Sequence, residues 1–99
     1  MKLYLVHCGF YDPTLADGIY ESHTNFFVAA ISFEDARTRA KESPGFRERK
    51  MHVDGLQEIN RVNGHLVTLI RNLELNETES QITSSRHRDL AKKPQPSLS

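Results

Sequence analysis

This chain of 99 residues has one cysteine, no tryptophan and no excess of either charge. Because Cys8 has no cysteine partner for an internal disulfide, a reducing compartment is favoured and the chain is predicted to be cytoplasmic. Thirteen Lys+Arg balance thirteen Asp+Glu, so the positive field that attracts nucleic acid is missing and no nucleic-acid partner is expected. No apolar run approaches the ~18 residues of a membrane span, so no membrane partner is expected either.

The composition changes near Leu75. Residues 76–99 contain few apolar side chains among Ser, Thr, Gln, Glu, Lys, Arg and Pro, too few to offset the entropy lost when a segment becomes ordered. The sequence therefore predicts a single domain over residues 1–75, followed by a flexible polar tail over residues 76–99.

The first 75 residues have the pattern of two strands, a helix and two more strands. Apolar, β-rich runs predict strands over residues 2–8, 23–30, 51–60 and 65–73. Ser32 stands at a helix N-cap position, with acidic residues in the first turn and basic residues towards the end. The helix is predicted to end before Pro44-Gly45, and a three-residue turn, Val62-Asn63-Gly64, is predicted to join the last two strands.

The rules for connecting strands limit how these elements assemble. Two hairpins linked by a helix predict an α+β fold of order ββαββ, in which a four-stranded antiparallel sheet, 2-1-3-4, carries one helix on one face. Leu3 and Leu5 alternate with Tyr4 and Val6, so both faces of the central strand are apolar and the helix covers only one. The other face requires a partner, and a second copy of the chain is expected: the protein is predicted to be a homodimer.

Polar residues collect at one edge of the predicted sheet, beneath the loop of residues 9–22. Strand one ends there at His7 and Cys8, and strands two and three begin there, which brings His7 and His23 towards His52 and Asp54. The predicted ligand-binding residues are His23, His52, Asp54, Glu21, Cys8 and Arg71. Strands two and three lie about 10 Å apart in this order. An organic or anionic ligand that spans the gap is therefore expected rather than a bare metal ion, and neither a metal ligand nor a cofactor is assigned.

Five short motifs, taken in order, resemble one protein family. They are Leu3-Tyr4-Leu5-Val6 ending in Gly9, Glu21-x-His23, Ser32-x-Glu34-Asp35-Ala36, His52-x-Asp54 and Val62-Asn63-Gly64. Together they make residues 1–73 similar to the bacterial domain-of-unknown-function family 1543. The resemblance implies a small bacterial α+β domain without an assigned activity, in which His23, His52 and Asp54 occupy polar positions of the family pattern.

Two functions follow from these residues. The first is a homodimeric module that binds a small ligand or a protein under the 9–22 loop. The second is a small enzyme that uses His23, His52 and Asp54, with or without a divalent metal, since imidazole and carboxylate groups serve both metal binding and acid–base catalysis. Histidines at strand ends commonly have structural roles, and Cys8 is ordinarily explained as a small buried thiol.

Overall fold

The computed structural model describes residues 1–86 and Arg88. Within them lie β1 (Lys2–Tyr11), β2 (Glu21–Ala30), α1 (Phe33–Lys41), β3 (His52–Glu58), β4 (Arg61–Val62) and β5 (His65–Leu66). A short 3-10 turn at Ala16–Gly18 lies between β1 and β2. Because β1 continues to Tyr11 and β2 begins at Glu21, the connection is shorter than the predicted loop of residues 9–22.

The main sheet is antiparallel and has three strands, with β1 between β2 and β3. β4 and β5 form a separate two-stranded ladder. These findings confirm the α+β class, the antiparallel pairing and the order 2-1-3.

One face of the sheet packs against the helix and forms the core. Tyr4, Val6 and Cys8 are between 0% and 1% exposed, and they pack with Ala36 and Ala40 of α1. Small alanine side chains let the helix approach the sheet closely, and burial of each large apolar side chain contributes roughly 1.5–3 kcal/mol. Leu3, Leu5, His7 and Gly9 alternate with the buried residues of β1 and lie on the opposite side, which we call the open face.

The helix begins where the sequence predicts it. The Ser32 side chain accepts a hydrogen bond from the backbone N–H of Asp35 at 3.1 Å. The Asp35 carboxylate in turn accepts one from the backbone N–H of Ile31 and one from Arg39 Nε, each at 3.0 Å. These bonds satisfy N–H groups at the helix start that have no partner within the helix.

Asp35 should make the stability of the fold depend on pH. The Ile31 N–H and the Arg39 guanidinium hold the pKa of Asp35 below its ordinary value of 3.8. A lowered pKa gives stabilisation that is present above the ordinary value and is lost as the pH falls through the folded-state pKa. We expect Asp35→Asn to lower the free energy of unfolding at pH 7, and the difference from wild type to shrink as the pH falls below 3.8 and through the folded-state pKa in urea denaturation. A stability difference between wild type and Asp35→Asn that did not change with pH would contradict this role of Asp35. Glu34→Gln, in the same helical turn, is the control.

The strand predicted over residues 65–73 is not paired in the main sheet. Only His65–Leu66 has strand pairing, and it pairs with Arg61–Val62. The φ angles of Asn63 and Gly64 are 50° and 78°, which are left-handed values typical of a two-residue turn, so the predicted three-residue turn is wrong. The single helix covers one face of the three strands. A strand over residues 65–73 that is apolar on both faces would need a second covering layer as well.

From β5 onward, most apolar side chains up to residue 75 are exposed to solvent. We call residues 65–75 the apolar arm; within it, Ile70 is 91% exposed and Leu73 is 87% exposed. Residues 76–86 contain no helix or strand. Residue 87 and residues 89–99 of the predicted tail lie outside the described residues, and the flexibility of the tail stays a prediction.

Candidate functional site

The open face is divided into an apolar half and a polar half. In the apolar half, Leu5 pairs with Phe27 and Leu3 pairs with Ala29. Towards the other end of the sheet, the side chains on the same face are polar. They belong to His7, Asn25, His23 and His52.

Gly9 lies at the centre of the polar half. It pairs with His23 of β2 on one side and with His52 of β3 on the other, so a residue without a side chain separates two histidines. Glu21, two residues before His23, emerges on the same face of β2. His23 and His52 therefore lie on one face, but within the sheet and not at its edge beneath the loop, because β1 continues to Tyr11 and β2 begins at Glu21.

Asp54 lies on this face because it follows His52 by two residues in β3, and it stands at a bulge. His7 pairs with Gly55 and Cys8 pairs with Val53, which leaves Asp54 as the extra residue. Its two carboxylate oxygens then contact different histidines: Oδ1 lies 3.0 Å from His52 Nε2, and Oδ2 lies 3.4 Å from His23 Nδ1.

Glu21 completes the group from the opposite strand. Its Oε1 lies 2.9 Å from His52 Nε2, so the His52 ring nitrogen stands between two carboxylates. We call Glu21, His23, His52 and Asp54 the His–carboxylate cluster. Its side chains are between 31% and 47% exposed, so solvent and solutes can reach them.

Gly9 provides the space that the cluster occupies. A Cβ atom on Gly9 would overlap Glu21 Oε1 and would lie 2.7 Å from both Asp54 Oδ2 and His52 Nε2. These contacts are too close for any side chain, so the groups can meet above β1 only because residue 9 is glycine. A glycine within a strand often marks such a close approach.

Direct contact across β1 corrects the expectation drawn from strand spacing. β2 and β3 were expected to be too far apart for imidazole and carboxylate to meet, which favoured a ligand that spans the gap. The missing side chain at Gly9 allows these groups to meet directly, and Glu21 of β2 lies 2.9 Å from His52 of β3. Two sets of ligand atoms each lie within 4.8 Å of one another: those of His7, His23 and Asp54, and those of Glu21, His52 and Asp54.

His7 is a neighbour of the cluster that the predicted site omitted. Its ring stacks on that of His23 with centroids 4.9 Å apart and planes 9° apart, and its Nδ1 lies 2.6 Å from Asn25 Oδ1. The stack restrains the His23 ring. Its position in the sequence could have revealed it, because His7 lies two residues before Gly9 and therefore on the same face of β1.

Two of the predicted site residues lie elsewhere. Cys8 is fully buried on the helix face, opposite the cluster, because adjacent strand residues alternate between faces. Arg71 lies in the apolar arm, where its guanidinium donates to the backbone carbonyls of Asn72 and Leu75. It is not at a strand end of the main sheet, since the chain leaves the sheet before reaching it.

The position of Cys8 predicts a slowly reacting thiol. Burial, and to a smaller extent the charge of Asp54, raise the pKa of Cys8, which lowers the fraction of reactive thiolate. We expect iodoacetamide to modify the native chain far more slowly than the chain in guanidinium chloride at the same pH, as measured by mass spectrometry. Equal rates in the two conditions would show that Cys8 is accessible.

Comparison with protein-family models, curated proteins and solved structures finds no match to this chain. Among residues 1–86 and Arg88, no helix has the length and apolar character needed to cross a membrane.

Proposed function

We propose that this chain is a homodimeric binding module whose ligand site is the His–carboxylate cluster. The observation that supports the site is the convergence of four ionisable side chains from β2 and β3 above Gly9. A cluster used only for stability could bury its charges or pair them with lysine or arginine. This one is open to solvent and is built from groups that bind ligands.

The charge of the cluster favours a cationic ligand. It contains two carboxylates, and among residues 1–86 no lysine or arginine pairs with them. An anionic ligand would meet repulsion from Glu21 and Asp54, whereas an amine or a metal ion would be attracted by both.

The second copy is supported by apolar surface that one chain leaves exposed. Phe27 on the open face is 48% exposed, and the arm adds Ile70 and Leu73. We propose that the partner covers the apolar half of the open face. Residues 65–73 of each chain would supply the fourth strand of the order 2-1-3-4 beside β3 of the other, which is a free sheet edge.

Two further proposals concern the origin and location of the chain. The ordered motifs that resemble family 1543 support a bacterial member of that family. The lone buried thiol of Cys8 fits a reducing compartment and supports a cytoplasmic location.

A small enzyme is the alternative function, and the surroundings of His52 favour it. A carboxylate that contacts an imidazole can orient it as a general base, and His52 Nε2 has Glu21 and Asp54 at 2.9 and 3.0 Å. His23, held by Asp54 and by the His7 stack, would then be available as a second acid–base group.

Thermal shift measurements with three probes test the ligand site. We expect an organic cation, spermidine, to raise the melting temperature of the full chain, and the rise to be lost in Asp54→Asn. Citrate, an organic anion, should have little effect. If neither spermidine nor ZnCl2 changes the melting temperature, or if Asp54→Asn responds as wild type does, the cluster is not a ligand site.

A further inference from the structure

The His–carboxylate cluster has the donor set of a metal site. It offers two imidazole nitrogens and two carboxylate groups, which is a combination suited to divalent first-row ions such as Zn²⁺. Mg²⁺ and Ca²⁺ prefer sites built from oxygen alone. The nature of the donors therefore indicates a transition metal ion.

We propose that Glu21, His52 and Asp54 bind one divalent transition metal ion of the Zn²⁺ type, with His23 beside the ion in contact with the second oxygen of Asp54. This inference rests on the proposed function, because it names the ligand of the same site. Metal binding would link β2 to β3 across β1 and would leave coordination positions open towards solvent.

The separations of the donor atoms suit an ion with ligands at right angles. With metal–ligand bonds of about 2.1 Å, two ligands at right angles lie about 3.0 Å apart, and two tetrahedral ligands lie about 3.4 Å apart. His52 Nε2 lies 2.9 Å from Glu21 Oε1 and 3.0 Å from Asp54 Oδ1. The His23 Nδ1 to Asp54 Oδ2 distance is 3.4 Å. The ligand atoms of Glu21, His52 and Asp54 all lie within 4.8 Å of one another, so side-chain movements alone would bring them to one ion.

The electrostatic balance also favours a cation. In the part of the chain that the structure describes, Lys2 pairs with Glu58 and Arg39 pairs with Asp35, whereas no lysine or arginine pairs with Glu21 or Asp54. A divalent ion would neutralise both carboxylates and accept the imidazole lone pairs at the same time. Protonated histidines neutralise the carboxylates, but their ring nitrogens then have no lone pair to donate.

His23 supports one of the proposed ligands from outside the ion. Its Nδ1 lies 3.4 Å from Asp54 Oδ2, and its ring stacks on that of His7, which contacts Asn25. A group that holds a ligating carboxylate in one orientation strengthens metal binding.

Calorimetric titration of the untagged full chain with ZnCl2, after treatment with a chelator, tests the proposal. We expect one ion per chain, and we expect His52→Ala and Glu21→Gln each to weaken binding by at least about tenfold. Gly9→Ala should weaken it similarly, because the added Cβ displaces three donor side chains whose ends can move without unfolding the strand.

Two matched controls accompany these variants. Gly55→Ala also adds a methyl group to the sheet, but its Cβ would meet nothing within 4 Å, so Zn²⁺ binding should remain as in wild type. His65→Ala removes an exposed histidine outside the cluster and should likewise have no effect.

The proposal is overturned if wild type shows no saturable binding of Zn²⁺. It is also overturned if the Gly9 and His52 variants bind as tightly as Gly55→Ala does. A chain that responds to spermidine in an Asp54-dependent manner but does not bind Zn²⁺ would retain the proposed binding function and lose only the metal. A chain that responds to neither would lose both.

Discussion

Val6→Asp is expected to unfold the chain. Val6 is 0% exposed, lies on the central strand and pairs with Phe26 and Leu56. A carboxylate there would lie in the apolar core between sheet and helix. The cost, on the order of 4–5 kcal/mol, is comparable to the total stability of about 5–10 kcal/mol expected of a domain of this size. Circular dichroism should show loss of the native spectrum at pH 7.

Phe27→Lys is the matched control on the other face of the sheet. Phe27 is 48% exposed, so a charged side chain at this position remains in solvent when the chain is alone. We expect this variant to keep its secondary structure. If Val6→Asp folded normally and Phe27→Lys did not, the assignment of the two faces would be reversed.

The second large effect concerns the homodimer. We expect light scattering of the wild-type chain at micromolar concentration to give a mass of about twice 11.3 kDa. Ile70→Lys and Phe27→Lys should each reduce it towards a single chain, because a charge would enter the apolar surface shared by the two copies. Ile70 is 91% exposed in one chain, so the loss of the dimer would not result from a damaged core.

A mass near 11.3 kDa for the wild type would contradict the dimer directly. A dimer that persists in both variants would show that the contact lies elsewhere. Glu77→Lys, an exposed change of charge just beyond the arm, is the control and should leave the mass unchanged.

Periodicity and capping predicted most of the sheet and the helix. Tyr4 and Val6 alternate with Leu3 and Leu5, and this alternation predicts the two faces of β1 because successive side chains in a strand point to opposite sides. Ser32 followed by Asp35 marks the helix start because both side chains bond free N–H groups locally. Such signals depend on neighbours in sequence, so the sequence alone reveals them.

The details of the site depend on contacts between distant residues. The sequence predicts Gly9 as the first residue of the 9–22 loop, whereas it lies within β1 and makes room for Glu21, His52 and Asp54. The bulge at Asp54 has no local signature, because it is defined by the register between β3 and β1. The apolar arm was predicted as a strand from its composition, but strand formation also requires a partner edge and a covering layer.

Side-chain nitrogen NMR of the histidines, recorded on the isotope-labelled full chain with and without ZnCl2, tests the central claim most directly. We predict that one equivalent of the ion shifts the ring nitrogens of His23 and His52 together, and that it leaves His65 unchanged. Shifts confined to His65, or unchanged His23 and His52 signals under saturating ZnCl2, would contradict the claim that the cluster above Gly9 is a metal-binding site.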